Sequence, residues 1–314
     1  LVKKLNKVSI IGAGNVGANC AQRLAERGYA DIVLVDIVPG LPQGKALDIL
    51  ESAPVLGFDS SVVGTNSYEE TDDSDVVVIT SGLARKPGMN REELLMANMK
   101  ILTEVTQNVV SHSPDCVIIM VTNPVDAMAY LALKTSQFPP SRVLGLSGAL
   151  DTARLRSFIA AELNVSVTDV YGCVIGEHGK SMIVVPRLCT VSGIPITKLL
   201  SSEAVARLVN RTINGGAEIV ELLKTGSAFY APSAAVAQMV EAVVMDKKQV
   251  LPCAVYFQGE YGLDDTFLSV PVKLGRTGVE EIIELELNME EKVALAESAT
   301  AVQELANTMG LRGN

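Results

Sequence analysis

Histidine is nearly missing from this chain: its 314 residues include only two, His112 and His178. Any chemistry that needs an imidazole to move a proton near neutral pH must use one of them. Cysteine is also sparse. The five (Cys20, Cys116, Cys173, Cys189 and Cys253) are odd in number, widely spread and form no Cys-x-x-Cys pair. That pattern fits neither a disulfide framework nor a zinc site, so no metal is expected. Cys116 and Cys173 each precede β-branched residues and read as small apolar fillers. A reducing, cytoplasmic setting follows. No apolar stretch approaches the roughly 18 residues needed to span a bilayer. The lysines before Val8-Ser9-Ile10-Ile11 look superficially like a signal peptide, but the apolar part is far too short. The first residue is Leu1 rather than methionine, which leaves room for a removed organellar targeting peptide.

Basic residues are outnumbered, and the formal net charge is -10. An acidic chain repels nucleic acid and anionic lipid at long range, so neither nucleic acid nor membrane is expected as a partner. The one dense basic run, Lys3-Lys4-Leu5-Asn6-Lys7, reads as a solvated lead-in to the first strand. An anionic substrate would have to be drawn by a few arginines inside the site. Internal repeats and low-complexity segments are absent. An apolar fraction of 48% with 20% charged residues is that of a compact folded chain, not a disordered or fibrous one.

What is present is an alternation. Short β-branched runs at residues 8–11, 32–35, 61–63, 75–80, 117–121 and 143–146 are separated by helical patterns at 17–27, 44–52, 91–110 and 126–135. Most of the runs are almost wholly apolar, as strands buried on both faces should be. The expected fold is α/β, a doubly wound parallel (Rossmann) sheet with ligand at the carboxyl ends of its strands. Beyond residue 150 the pattern changes. A helix at 151–163 is followed by short strand-like runs near Val174, Ile183 and Leu188, long helices at 203–223 and 232–245, strands at 253–257 and 268–272, and a final helix at 289–309. The division expected is therefore 1–150 for dinucleotide and 151–314 as an α+β substrate domain, the last helix packing back on the first.

Val8-Ser9-Ile10-Ile11 runs straight into Gly12-Ala13-Gly14-Asn15-Val16-Gly17 and then a helix. Gly12 permits the tight turn, Gly14 lets backbone approach a pyrophosphate, and Gly17 lets the helix lie close on the strand. Alone the motif is weak, and a glycine turn with no ligand is the alternative. Its context strengthens it, because a second strand ends in Asp36. There a carboxylate would accept from the ribose 2′-OH and repel a 2′-phosphate, which favours NAD over NADP.

His112 lies in Ser111-His112-Ser113-Pro114, which reads as a surface turn. His178 lies in Gly176-Glu177-His178-Gly179, where it is either a proton-transfer group or a structural histidine. Asp151 and Arg154 stand three apart on one helix face. The acid could hold the imidazole Nδ1–H and the guanidinium could grip a carboxylate, or both could be ordinary surface groups. After the strand at 75–80 come Arg85 and Arg91, flanking Pro87-Gly88, with Asn90 as helix cap. They suit either a lid closing over an anion or a solvated basic loop. Asn123, after Val121-Thr122, would face the same crevice.

Taken together, Gly12–Gly17, Asp36, the 82–91 loop, Asn98, Thr122-Asn123-Pro124, Leu150-Asp151 with Arg154, and 176–179 resemble the lactate/malate dehydrogenase superfamily, in particular its lactate-dehydrogenase-like malate dehydrogenases. The likeness covers essentially the whole chain, and its specificity lies in the joint order and spacing of these motifs. The resemblance implies reversible hydride transfer between (S)-malate and NAD, giving oxaloacetate and NADH, with a lactate or broader 2-hydroxy-acid dehydrogenase as the alternative. A non-catalytic NAD-binding protein on the same fold is a more distant one. It implies a catalytic set of His178, Asp151 and Arg91. Substrate would be held by Arg85, Arg91, Asn123 and Arg154, and cofactor by the glycine turn (Gly12, Ala13, Gly14, Asn15, Val16, Gly17) with Asp36, Asn98, Val121, Thr122 and Asn123. Arg85 stands where relatives acting on lactate carry a neutral glutamine, so a dicarboxylate is the implied substrate. Ala228 falls where lactate enzymes often have threonine. Lys180, after His178-Gly179, departs from the acid common in relatives. The resemblance also implies a homodimer or homotetramer, with the helices at 203–223 and 232–245 as either interface or plain core.

Overall fold

The computed structural model describes residues 6–83 and 91–312, without the side chain of Arg91. Its first part runs β1 (Asn6–Ile11), α1 (Asn15–Arg27), β2 (Ala30–Val35), α2 (Leu41–Leu56), β3 (Val62–Thr65), β4 (Val76–Ile79), α3 (Arg91–His112), β5 (Val117–Met120), α4 (Val125–Ser136), β6 (Val143–Gly145) and α5 (Ser147–Leu163). Four short strands and a one-turn helix follow the two residues of β7 (Val170–Tyr171): β8 (Val174–Ile175), β9 (Ile183–Val184), β10 (Thr190–Val191), β11 (Ile194–Pro195) and α6 (Ile196–Leu199). Then come α7 (Ser202–Leu223), α8 (Tyr230–Val244), β12 (Gln249–Gln258), β13 (Asp264–Gly275), β14 (Gly278–Ile282) and α9 (Met289–Thr308).

The strands of the large sheet lie in the order β14-β13-β12-β6-β5-β4-β1-β2-β3. From β6 to β3 every neighbouring pair is parallel. The order reverses between β1 and β4, so a crevice opens at their carboxyl ends. All four residues of β4 and of β5 are buried, as the sequence predicts for strands covered on both faces. α1 packs on α2 and α8, while α3 packs on α4 and α4 on α9. This is the α/β fold expected, a Rossmann-like sheet continued by a C-terminal α/β part.

Three local expectations differ. β12 and β13, read as shorter strands of a second lobe, and β14, which the sequence reading lacks, continue the first sheet, β12 lying antiparallel to β6 through Ala254 and Gly145. Nothing local in the sequence marks which edge a strand joins. α2 starts at Leu41 and ends at Leu56, not 44–52, because Pro42 sits in the first turn, where its missing N–H has no partner to lose. His112 is the last residue of α3 rather than a loop residue. Its Nδ1 meets Asp72 Oδ1 at 2.5 Å, a cation-capable group at the end where the helix dipole favours one.

The buried apolar residues form two clusters. The larger fills both faces of the sheet and includes Tyr130, Phe257 and Phe267. The smaller, around Leu155, Ile159, Met182 and Leu208, lies between α5, α7 and the short strands. The cleft described next lies where α5 and α7 meet the carboxyl ends of the parallel strands.

Candidate active site

The glycine turn closes the first corner of the cleft. Gly12 has φ +112°, a conformation open to glycine. At Gly17 a Cβ would lie 1.9 Å from the Gly12 carbonyl oxygen. At Gly14 it would meet nothing within 4 Å, so the approach from the cleft is open. α1 begins here with no side-chain cap, leaving its first N–H groups to a ligand or to water. Asp36 caps the far end of the turn: Oδ2 accepts from the Ala13 N–H at 2.7 Å and Oδ1 from Val38 N–H at 3.0 Å. Lys45, unremarked in the sequence, donates from Nζ to the Ala13 carbonyl at 2.7 Å.

Gly12, Gly14, Asp36, Asn66, Tyr68 and Ser81 line a cavity of about 320 Å³. Ser81 Oγ is buried there with no hydrogen-bond partner among the described residues. Asn98 is fully buried beside it and ties two strand ends together. Its Oδ1 accepts from Leu83 N–H at 2.8 Å, and its Nδ2 donates to the Asn123 carbonyl at 3.3 Å. Thr122 adds a second tie, donating from Oγ1 to the Ser81 carbonyl at 2.6 Å.

A second cavity, also about 320 Å³, is lined among others by Val121, Asn123, Arg154, His178, Gly216 and Ala228. His178 Nδ1 stands 2.7 Å from Asp151 Oδ2, and Arg154 donates to Asp151 Oδ1 at 3.0 Å. Asp151 is 1% exposed and His178 17%. A carboxylate only accepts, so Nδ1 carries the shared proton and Nε2 is the nitrogen left for other chemistry. Burial works to lower the His178 pKa, but the facing Asp151 and then Asp126 outweigh it and hold it above the ordinary histidine value. Arg154 Nε is buried without a partner among the described residues. α7 makes room for that side chain with Gly215 and Gly216: a Cβ on Gly215 would come 3.2 Å from Arg154 Cδ.

His178, Arg154, Asn123 and Val121 thus line one cavity, with Val16 of the glycine turn also on its wall and Asp151 held behind it by His178 and Arg154. Asn98 and Thr122 stand behind the wall rather than on it. Arg85 and the side chain of Arg91 lie outside the described residues. Sequence reading missed Asp126, whose Oδ2 accepts the His178 main-chain N–H at 2.7 Å. An acid in the first turn of a helix reads as a dipole partner, and nothing local sets it apart.

Asp36 and a glycine turn at the switch point, joined to an acid-braced imidazole across the cleft, define a dinucleotide-dependent oxidoreductase of the two-cavity kind. Comparison with known proteins narrows this. Residues 6–145 match the family profile of the lactate/malate dehydrogenase NAD binding domain, and residues 148–310 that of the lactate/malate dehydrogenase alpha/beta C-terminal domain. The chain belongs to the lactate/malate dehydrogenase family. It is 57% identical over 303 residues to the malate dehydrogenase of Thermomicrobium roseum, covering 96% of this chain and 98% of that one. The solved malate dehydrogenase from Salinibacter ruber superposes with a TM-score of 0.93 at 50% identity, over 97% of both chains. A lactate dehydrogenase from Cryptosporidium parvum, complexed with lactic acid and NAD, superposes with a TM-score of 0.95 at 37% identity over 100% of both.

Proposed function

We propose that the chain interconverts (S)-malate and oxaloacetate with NAD and NADH, and that His178 is its proton-transfer group. One observation carries the assignment of roles: the Asp151–His178 pair opens on the same cavity as Arg154 and Asn123. The match to malate dehydrogenases across nearly the whole length supports the choice of substrate.

The turn fits NAD. Gly14 leaves backbone open to a pyrophosphate, the uncapped α1 offers N–H groups, Ser81 Oγ lacks a partner among the described residues, and Asp36 would take ribose hydroxyls and repel a 2′-phosphate. When bound, NAD supplies the acceptor for the hydrogen that leaves C2 with its electron pair. The protein does the rest. Arg154 holds the C1 carboxylate with parallel hydrogen bonds from its guanidinium. His178 Nε2 takes the C2 hydroxyl proton in malate oxidation and returns it in oxaloacetate reduction. Asp151 keeps the ring in the tautomer that leaves Nε2 available and stabilises the cation formed. Asn123 hydrogen-bonds near the C2 oxygen. Arg91 polarises that oxygen and Arg85 pairs with the second carboxylate, both from the 82–91 loop.

Residues 1–150 form the cofactor domain in this reading and 151–314 the substrate domain. The site is expected to act in a homodimer or homotetramer. Exposed Val220, Leu222 and Tyr230 at the junction of α7 and α8, with Ile37 and Val55 beside α2, supply apolar surface for such contacts. The setting is cytoplasmic, in keeping with five free and buried thiols. No helix among the described residues is long and apolar enough to cross a membrane.

The test is NADH oxidation with oxaloacetate against pyruvate. A guanidinium left unpaired over pyruvate's methyl group is costly, so kcat/KM should favour oxaloacetate by roughly a hundredfold or more. Arg85→Gln should move the preference toward pyruvate. Equal rates in the wild type would remove the malate assignment and leave a broader 2-hydroxy-acid dehydrogenase.

A further inference from the structure

The loop that carries His178 is anchored through its main chain at three consecutive residues, each to a different element. Gly176 exchanges hydrogen bonds with Ser269 of β13 at 2.8 and 3.0 Å. Glu177 N–H donates to Ser298 Oγ of α9 at 2.6 Å, and His178 N–H donates to Asp126 Oδ2 of α4 at 2.7 Å. Of the three acceptors only the last can carry charge, and it sits where charge is costly. Asp126 is 3% exposed, and Ser147 at the start of α5 lies close enough to hydrogen-bond its carboxylate. A neutral amide or a backbone carbonyl would accept the same N–H with a smaller desolvation penalty. The loop's shape alone therefore does not call for an acid here.

We propose that Asp126 is a second positioning acid for proton transfer, clamping the His178 main chain while Asp151 clamps its ring, and setting negative charge behind the imidazole that turnover makes cationic. The inference rests on reading His178 as the proton-transfer group. Its electrostatics are consistent from both sides. Burial pushes the Asp126 carboxyl up to about 7, against the His178 N–H and the His178 charge, while Glu177 adds to the rise. His178 in turn is raised by Asp151 and by Asp126, and lowered by burial and by Arg154. Imidazole and carboxyl thus each feel the other's charge and titrate as a coupled group. The first turn of α4 adds a dipole that favours the ionised acid.

With only two histidines, the protein lends itself to a direct reading. NMR of the unliganded protein carrying 13C-labelled histidine gives two imidazole titrations, and the one absent in His178→Asn belongs to His178. In Asp126→Asn the His178 titration should move to lower pH by roughly one unit, with His112 unmoved. Asp126→Ala, which removes the acceptor as well, should lower kcat for oxaloacetate by roughly ten- to a hundredfold at an unchanged NADH dissociation constant, and Asn should restore most of that loss. A His178 titration in Asp126→Asn that overlays the wild type overturns the proposal. So does an Ala variant with wild-type kcat. If Ala does not fold, the Asn variant and its titration decide alone. A wild-type protein inert toward oxaloacetate would instead remove the functional reading, while the titration would still report whether Asp126 sets the charge on His178.

Discussion

Asp151 serves two partners with one carboxylate, ring Nδ1 of His178 on Oδ2 and the Arg154 guanidinium on Oδ1, while only 1% exposed. A buried acid is tolerated when paired in this way, and removing either partner strands the other. His178→Asn should therefore cost turnover more than binding. The general acid–base contribution lost is on the order of a thousandfold in kcat. The NADH dissociation constant should stay within about twofold, since the asparagine removes no group of the glycine turn. A steady-state assay and a fluorescence titration check the two halves, and a variant retaining even a tenth of wild-type kcat would show that another base works. Residues of this kind were partly legible. His178 stood out by rarity and glycine flanks, and Asp151 with Arg154 by their helical spacing. Asp126 did not, because the N–H it holds lies 52 residues away and no local pattern records that contact.

At the scale of elements, the β1–turn–α1 unit was the most legible piece, since strand, glycines and helix are contiguous and each glycine has a separate steric reason. Gly17 is the sharpest. Its missing Cβ would fall 1.9 Å from a main-chain oxygen and 2.9 Å from Thr80 Oγ1, and a rotamer change cannot relieve a clash with backbone. Gly17→Ala should force α1 away from β1, costing about 3 kcal/mol of stability. It should also weaken NADH binding by more than about tenfold, because the helix N-terminus moves with it. Chemical denaturation and a binding titration test both, and an Ala variant as stable as the wild type would show that the contact yields. The outer antiparallel strands were not legible in the same way. β12 and β13 pair along their whole length as any hairpin would, and their attachment to β6 rests on a single residue pair. α2 continues through Pro54 and ends at Leu56, with Gly57 as its left-handed cap, so the glycine marks this end and the proline does not.

Across the whole molecule, the two notable acids run in opposite directions. Asp126, raised to about 7, binds more protons folded than unfolded, so its contribution to stability weakens as pH rises from about 4 to 7. Asp265 of β13 does the reverse. It accepts from Tyr130 of α4 at 2.7 Å, from Tyr256 of β12 at 2.8 Å and from Arg312 beyond α9 at 2.9 Å, with Lys134 Nζ at 3.4 Å. Partial burial works to raise its pKa, but the three hydrogen bonds outweigh it and hold it at about 2. A folded value below the unfolded one stabilises above the unfolded value, near 4, and the benefit is lost as pH falls toward 2. The knot joins the segment after the last helix to α4, the helix whose first turn carries Asp126. Asp265→Asn should therefore lower stability by about 1–2 kcal/mol at pH 7, the full shift being discounted for partial exposure. The deficit should narrow between about pH 4 and 2, where the wild type also loses the ionised acid. Melting curves of both proteins across that range measure it. A deficit of equal size at both ends would mean that shape, rather than charge, holds the C-terminal segment against α4.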